Sequence, residues 1–575
     1  MRTNLSYLRL MLAVFALLAG ATQGVYAQNL ESIGKEDPIK ISGGFSFNQI
    51  LYGAQGINNR RDPYAYFASA NLNISLFGWN VPLSFMLSNQ NVTFQQPFNQ
   101  FALHPTYKWA TLHAGVTSMS FSPYTLSGHL FRGVGADLTP SPKWRISMMY
   151  GRLLKAVEPD TAAGSNVRPA FDRFGYGLKV GYGDPKAFIE TIVFRAQDDT
   201  TSIRAIPKDQ SLLPEENLVL SLAAGKTIFE KILLRAEWAT SAITRDTRAP
   251  RSDLENGWAY VGGLFRPRQS SSYYDAVKAN LTYQGASYSF GVGYERVDPQ
   301  YRTLGAYFFN NDLENVTVNG ATTLFNGKVN LSGNLGTQRD DLDNTKISNM
   351  RRLVAATSVA IVPSPRFNLS VAYSSFQTFT NIRSQFVDIN QLTPYENLDT
   401  LNFTQIARNG TLSAMYMPGR NKDRRQTVSM NLMVQDAADR QAGVLQNSGL
   451  RFYNLNTAYN LLITPRQLTV SASFNVALSD GAALQTRTFG PTLAMGKQFF
   501  DKKLRTQLSV SHNQTQTEQK NMGRILNGRL SGAWSWKKKH NINFGVVVMN
   551  RANRTEQQPG MITEYTGTLG YAYAF

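Results

Sequence analysis

The sequence contains no cysteine. That excludes disulfides, so stability must come from backbone pairing and burial. It also excludes a thiolate metal site and a lipid anchor on a new N-terminal cysteine. Charge is scarce as well: 17% of the residues are Asp, Glu, Lys or Arg, against about 25% in soluble domains. Beyond one stretch near the start, no apolar run is long enough to cross a membrane as a helix. Gly-rich phosphate loops and nucleotide motifs are missing too. Yet the chain is not greasy, because its mean hydropathy is −0.27. Acids are outnumbered, and the 575 residues carry a formal net charge of +19.

The first apolar run assigns a compartment. Arg2 and Arg9 precede Leu10–Gly20, and Val25-Tyr26-Ala27 supplies a small-x-small cleavage site. This is the pattern of a secretory signal peptide over residues 1–27. Residues 28–37 read as a short periplasmic segment before the folded part. An exported basic chain rarely meets nucleic acid. Anionic lipopolysaccharide, anionic solutes or acidic partners are its expected counterparts.

What is abundant is alternation. In "FNLSVAYS", Phe367, Leu369, Val371 and Tyr373 share one face, against Asn368, Ser370, Ala372 and Ser374. "LTVSASFNVAL", "VNLSGNL" and "ISGGFSFN" repeat the pattern. A period of two means a strand with two different surroundings. Short turns such as "PSPK", "GDPK", "FNGK" and "FDKK" alternate with longer polar connections along the whole chain. About 26 strands result, an even number within the range of bacterial outer-membrane barrels. No blade-length repeat supports a propeller. The polar faces hold Ser, Asn, Gly and Thr rather than the Lys and Glu of a soluble sandwich. The expectation is all-β: a transmembrane antiparallel β-barrel over residues 38–575, with its apolar faces toward lipid and its last strand closing on the first.

The final residues alternate in the same way: Tyr565, Leu569, Tyr571, Tyr573 and Phe575 on one face, with Gly567 as the gap. This ending resembles the C-terminal signature of outer-membrane β-barrel proteins, which the barrel-assembly machinery reads. The chain as a whole resembles porin-like barrels. Asp160, Asp199 and Asp399 each open an Asp-Thr triplet similar to glycosylation sites of exported Bacteroidota proteins. Plugged transporters of the TonB-dependent type are similar in barrel size but carry a folded domain before the barrel. The stretch after Gln28 is too short for one, so a barrel without a plug domain is expected. Implied partners are outer-membrane lipid and lipopolysaccharide, the assembly machinery, and a periplasmic or surface lipoprotein covering the lumen. No cofactor is implied. Trp79, Trp109, Trp144, Trp534 and Trp536 lie in or beside short turns, where indoles would form an interfacial girdle.

The strand phase places Arg145, Lys179, Arg235, Lys278, Arg505 and Arg529 on the lumenal face, with Glu237 and Glu295. A net-basic lining favours anions; the competing reading is that these side chains brace the wall. His104, His113 and His129 fall in one stretch with Ser118, Ser120 and Ser122, but no spacing supplies nucleophile, base and orienter together. No two histidines have metal-ligand spacing. The expected function is a non-enzymatic outer-membrane channel for hydrophilic, anionic solutes. The alternative is a non-enzymatic barrel component of a multi-protein secretion or assembly complex.

Overall fold

The computed structural model describes residues 39–575 except positions 77, 90–99, 160–168, 205–211, 253–262, 341, 344–350, 379–403, 420, 442–443, 446–449, 482–483, 519 and 554–559. The signal-peptide and 28–37 readings lie outside the described residues, as do Asp160 and Asp399.

Strand segments in chain order are β1 Ile39–Gln55, β2 Tyr64–Leu76, β3 Trp79–Ser88, β4 Gln100–Leu103, β5 Thr106–Tyr107, β6 Ala110–Ser120 and β7 Ser127–Ser141. Next come β8 Trp144–Leu154, β9 Asp172–Asp184, β10 Ala187–Asp199, β11 Glu216–Ile228, β12 Ile232–Thr244, β13 Ser271–Gln284 and β14 Tyr288–Val297. Then follow β15 Leu313–Leu324, β16 Val329–Arg339, β17 Arg351–Ser364, β18 Phe367–Thr378, β19 Thr404–Tyr416, β20 Arg424–Gln441 and β21 Val444–Leu445. The last are β22 Leu450–Ile463, β23 Leu468–Gly481, β24 Gln485–Phe499, β25 Leu504–Thr517, β26 Lys520–Trp536, β27 His540–Asn553 and β28 Gly560–Ala574.

All belong to one antiparallel sheet. Both β4 and β5 bridge β3 to β6, so together they make one interrupted stave. β21 only caps the end of β20, which pairs directly with β22. The ring therefore has 26 staves. It closes where β1 pairs with β28, with Phe45 opposite Tyr573 and Phe47 opposite Tyr571. Closure leaves no strand edge with unpaired amides, the condition for standing in hydrocarbon. Inside the seam, the Tyr52 hydroxyl donates to Glu564, a side-chain clasp between the first and last staves.

The two rims differ. One carries tight turns in which Phe229 and Glu230, Phe325 and Asn326, and Phe500 and Asp501 adopt left-handed backbone. Such turns match the twist of a two-strand ribbon. The other rim carries the long connections. By the rule for these barrels, the short-turn rim is periplasmic.

Alternation decides the faces. Val134, Tyr150, Leu178, Leu281, Leu493 and Leu530 stand exposed on the outside. Outward apolar residues of this kind make the belt that lipid covers. The inner face is uneven. A packed core of Met119, Phe121, Leu126, Phe131, Met149, Leu153, Ile192, Phe194, Val219 and Leu304 lies inside the wall of β6 to β11. Among the described residues, the β16 to β28 wall contributes few buried apolar side chains.

Candidate functional site: the inner wall and its inward segments

Two connections of the long-loop rim fold into the barrel. Residues 121–126, between β6 and β7, place Phe121, Tyr124 and Leu126 against the inner wall. Residues 298–312, between β14 and β15, bury Tyr301 and Leu304 beside them. Gly177 makes room: a Cβ there would lie 2.6 Å from a ring carbon of Phe121. The two segments also bond to each other. The Tyr301 hydroxyl donates to Tyr124 O (2.8 Å), Thr303 Oγ1 to Thr125 O (2.7 Å), and Ser127 N to Gly305 O (2.9 Å). Asn217 and Ser241 on the wall bind Leu304 N and Arg302 O.

Ion pairs hold the same partition. Arg302 reaches Glu215 through two bonds of 2.6 and 2.7 Å. The buried Arg173 guanidinium grips Asp198 through bonds of 2.6 and 2.8 Å and Glu215 at 2.9 Å. Planar forks of this kind are geometrically specific as well as strong. Burial pushes the Tyr301 phenol well above its ordinary range. Burial and then the nearby Glu295 carboxylate do the same to Tyr124, whose hydroxyl donates to Glu295 at 2.6 Å. A third connection behaves differently. Phe265 packs over the outer face, on Leu218 and Ala242.

The wall cations divide into two groups. Arg145 and Lys179 share Glu190, at 3.4 and 2.9 Å, and Lys179 also donates to Phe121 O (3.1 Å). Lys278 lies 3.6 Å from Glu295. Glu237 accepts from Ser221 (2.9 Å), and Arg235 lies over the Phe188 ring at 5.9 Å. Arg505 and Arg529 differ: neither side chain has a hydrogen bond or acidic partner among the described residues. They line one hollow of about 510 Å³ with Ser471, Gln507, Ser531 and Asn543, toward the short-turn rim.

The histidines separate. His129 is buried and stacks on Tyr307, with ring centroids 4.0 Å apart. His104 and His113 instead meet, Nδ1 to Nδ1, at 2.9 Å. His113 Nε2 lies 2.9 Å from Asp137 Oδ2, and Ser147 Oγ donates to Asp137 Oδ1 at 2.5 Å. This line crosses four neighbouring staves. Sequence spacing misses it because the His104 stave is interrupted between β4 and β5, and only the cross-strand register brings the two rings together.

At the short-turn rim Trp79, Trp109, Trp144, Trp534 and Trp536 are all exposed. Trp79 stacks on Tyr107, and Trp536 lies beside His540. Phe229, Phe325 and Phe500 project from the tight turns of that rim; a turn reading of "FNGK" and "FDKK" does not assign their phenylalanines this place. Tyr565, Leu569 and Tyr571 face outward on β28, and Tyr571 OH lies 2.8 Å from His540 Nδ1. Tyr573 and Phe575 continue the stripe, their rings 5.7 Å apart. Asp199, at the end of β10, accepts from Thr201 N and Oγ1.

A closed barrel with an outward apolar belt stands in the bacterial outer membrane. No protein-family model matches the chain, and no curated protein matches it. Among solved structures it is similar to the FrpB iron transporter of Neisseria meningitidis, at 11% identity over 93% of this chain and 81% of that one, with a TM-score of 0.37. It is similar to the outer membrane protein OpdK of Pseudomonas aeruginosa, at 8% identity over 63% of this chain and 95% of that one, with a TM-score of 0.29. A loop-deletion mutant of OmpT, an outer membrane protein of Vibrio cholerae, aligns at 8% identity over 53% of this chain and 93% of that one, with a TM-score of 0.27. At these scores the likenesses carry no argument about cargo; the architecture rests on the strand pairing itself.

Proposed function

We propose that this protein is a non-enzymatic outer-membrane channel for hydrophilic solutes with a preference for anions. The observation that carries the preference is the Arg505–Arg529 hollow. Two guanidiniums with no neighbouring acid among the described residues share one lumenal surface with hydroxyls and amides. In a channel with low-dielectric walls, uncompensated charge of one sign raises the local concentration of the opposite ion. The braced cations contribute less field, because Arg145 and Lys179 share the Glu190 carboxylate and Lys278 lies 3.6 Å from Glu295. The two inward segments pack against the β6 to β15 wall, whereas the Arg505–Arg529 hollow lies on the β23 to β28 wall; the proposed solute path runs past that hollow. A Bacteroidota source is a reading from the Asp-Thr triplets alone.

Planar-bilayer recording tests the reading. The wild-type barrel should conduct, with a reversal potential shifted toward anions under a salt gradient. R505E/R529E should move that potential toward cations while the folded yield stays unchanged. Unaltered selectivity would assign these arginines to the wall rather than to the solute. A folded barrel that passes no current and co-purifies with a stoichiometric partner would favour a component of a multi-protein outer-membrane complex.

A further inference from the structure

We propose that His104 and His113 form a binding site for one divalent transition-metal ion of the imidazole-preferring kind, Zn²⁺ or Cu²⁺, on the inner wall of the barrel. Two ring nitrogens 2.9 Å apart can hold only one hydrogen between them. An ionised Asp137 has no proton to give, so His113 Nε2–H is the donor of that bond. In its neutral form, His113 with its hydrogen on Nε2 presents its Nδ1 lone pair toward His104. A carboxylate on the far nitrogen is the device that fixes the tautomer of a metal-binding histidine, orients its ring and raises its basicity. Here that carboxylate is itself held by Ser147 Oγ–H.

The metal takes the place of the shared hydrogen. His104 moves its hydrogen from Nδ1 to Nε2, and both Nδ1 lone pairs then point at one position. Two nitrogens at 2.0–2.1 Å from a tetrahedral ion are about 3.3 Å apart. The rings need to separate by a few tenths of an ångström, which a small side-chain rotation supplies. Gly135 stands opposite His113 across the ladder, where a Cβ would fall 2.6 Å from Met119 Sδ and 3.6 Å from His113 Cβ. The wall is thus already filled behind the ring, and its free side is the lumen.

The surroundings select the kind of ion. A hollow of about 520 Å³, bordered by Ser69, Asn71, Ser84 and Thr117, opens in front of the pair and gives an ion access. No group of three His, Asp or Glu side chains converges on a point among the described residues. The protein therefore supplies two nitrogens and leaves the remaining positions to water or to a passing solute. That is the pattern of an open site rather than a structural one. Imidazole pairs suit Zn²⁺ and Cu²⁺, whereas Ca²⁺ and Mg²⁺ want several carboxylate or carbonyl oxygens.

The test is metal titration of the purified full-length barrel in detergent, without a histidine tag. Calorimetry is run with Cu²⁺ and with Zn²⁺, and folded fractions are matched by heat-modifiable gel migration. The absence of cysteine removes thiol background, and only five histidines occur in the chain. One ion per barrel is expected, with Cu²⁺ bound more tightly than Zn²⁺. H104A and H113A should abolish that binding event, and H104F keeps the ring volume if H104A folds poorly. D137N should weaken it about 10- to 100-fold with unchanged stoichiometry. H512A/H540A should bind as the wild type does. A wild-type barrel that binds neither ion, or an H104A or H104F barrel that binds Cu²⁺ as the wild type does, overturns the proposal. The outcome is independent of the anion reading, whose residues lie on other staves.

Discussion

Gly177 illustrates how much one missing side chain does here. On the inner face of β9 it stands where the Phe121 ring descends from the long-loop rim, with Phe194 on the other side. Gly177→Val should displace the 121–126 segment. Overpacking of this kind costs about 1–3 kcal/mol, read as a lower midpoint for heat modification on a gel. Phe194→Ala should cost more, about 3–5 kcal/mol, because its ring is fully buried. At this scale the sequence was legible for direction and silent about contact. The period-two phase places Arg145, Lys179, Arg505 and Arg529 on one face, yet nothing in the spacing separates the two that meet Glu190 from the two that meet no acid among the described residues. Partner identity depends on register between strands, and register is a property of the pair.

The inward segments are the elements a strand-by-strand reading misses. "Polar in, apolar out" fails on β10, where Ile189 and Val193 face outward while Phe188, Ile192 and Phe194 face inward. A near-continuous apolar run is the mark of a strand buried on both faces. That run, in "AFIETIVF", was the available signal for something packed inside the wall. What covers it comes from 121–126 and 298–312, which are remote in sequence. Their docking should depend on pH. Tyr301 and Tyr124 have folded-state pKa values raised above the ordinary 10. Their contribution is therefore fully present below pH 10 and lost as pH rises beyond it, because the undocked phenols ionise first. Limited proteolysis should show 298–312 protected at pH 8 and cleaved above pH 10. Y301F should push the release to higher pH. Protection that persists unchanged at pH 11 would mean that the Arg302–Glu215 fork and the Arg173–Glu215 bond hold the segment without help from the phenols.

For the whole molecule, the question is which side of the wall each residue faces. Neighbours on β26 make the contrast: Leu530 is exposed to lipid, whereas Arg529 and Ser531 line the lumenal hollow. Leu530→Arg near the middle of its stave should destabilise the inserted barrel by about 2–4 kcal/mol. Ser531→Arg, one residue on, should be nearly neutral, because it faces a polar hollow rather than lipid. Urea unfolding from lipid vesicles measures both, and equal penalties would contradict the assigned faces. This inside–outside order is what the sequence by itself determined, along with the closed antiparallel barrel, about 26 staves and alternating rims. Those follow from local chemistry: a side-chain period of two, turn residues at regular intervals, and the requirement that no amide in hydrocarbon stays unpaired. The tertiary structure alone decided the packed partition on the β6 to β15 side, the division of wall cations into braced and free, and the meeting of His104 with His113. Each of these joins residues on different staves or from distant loops, and their distances are set by ring closure and cross-strand register, which no single strand's pattern contains.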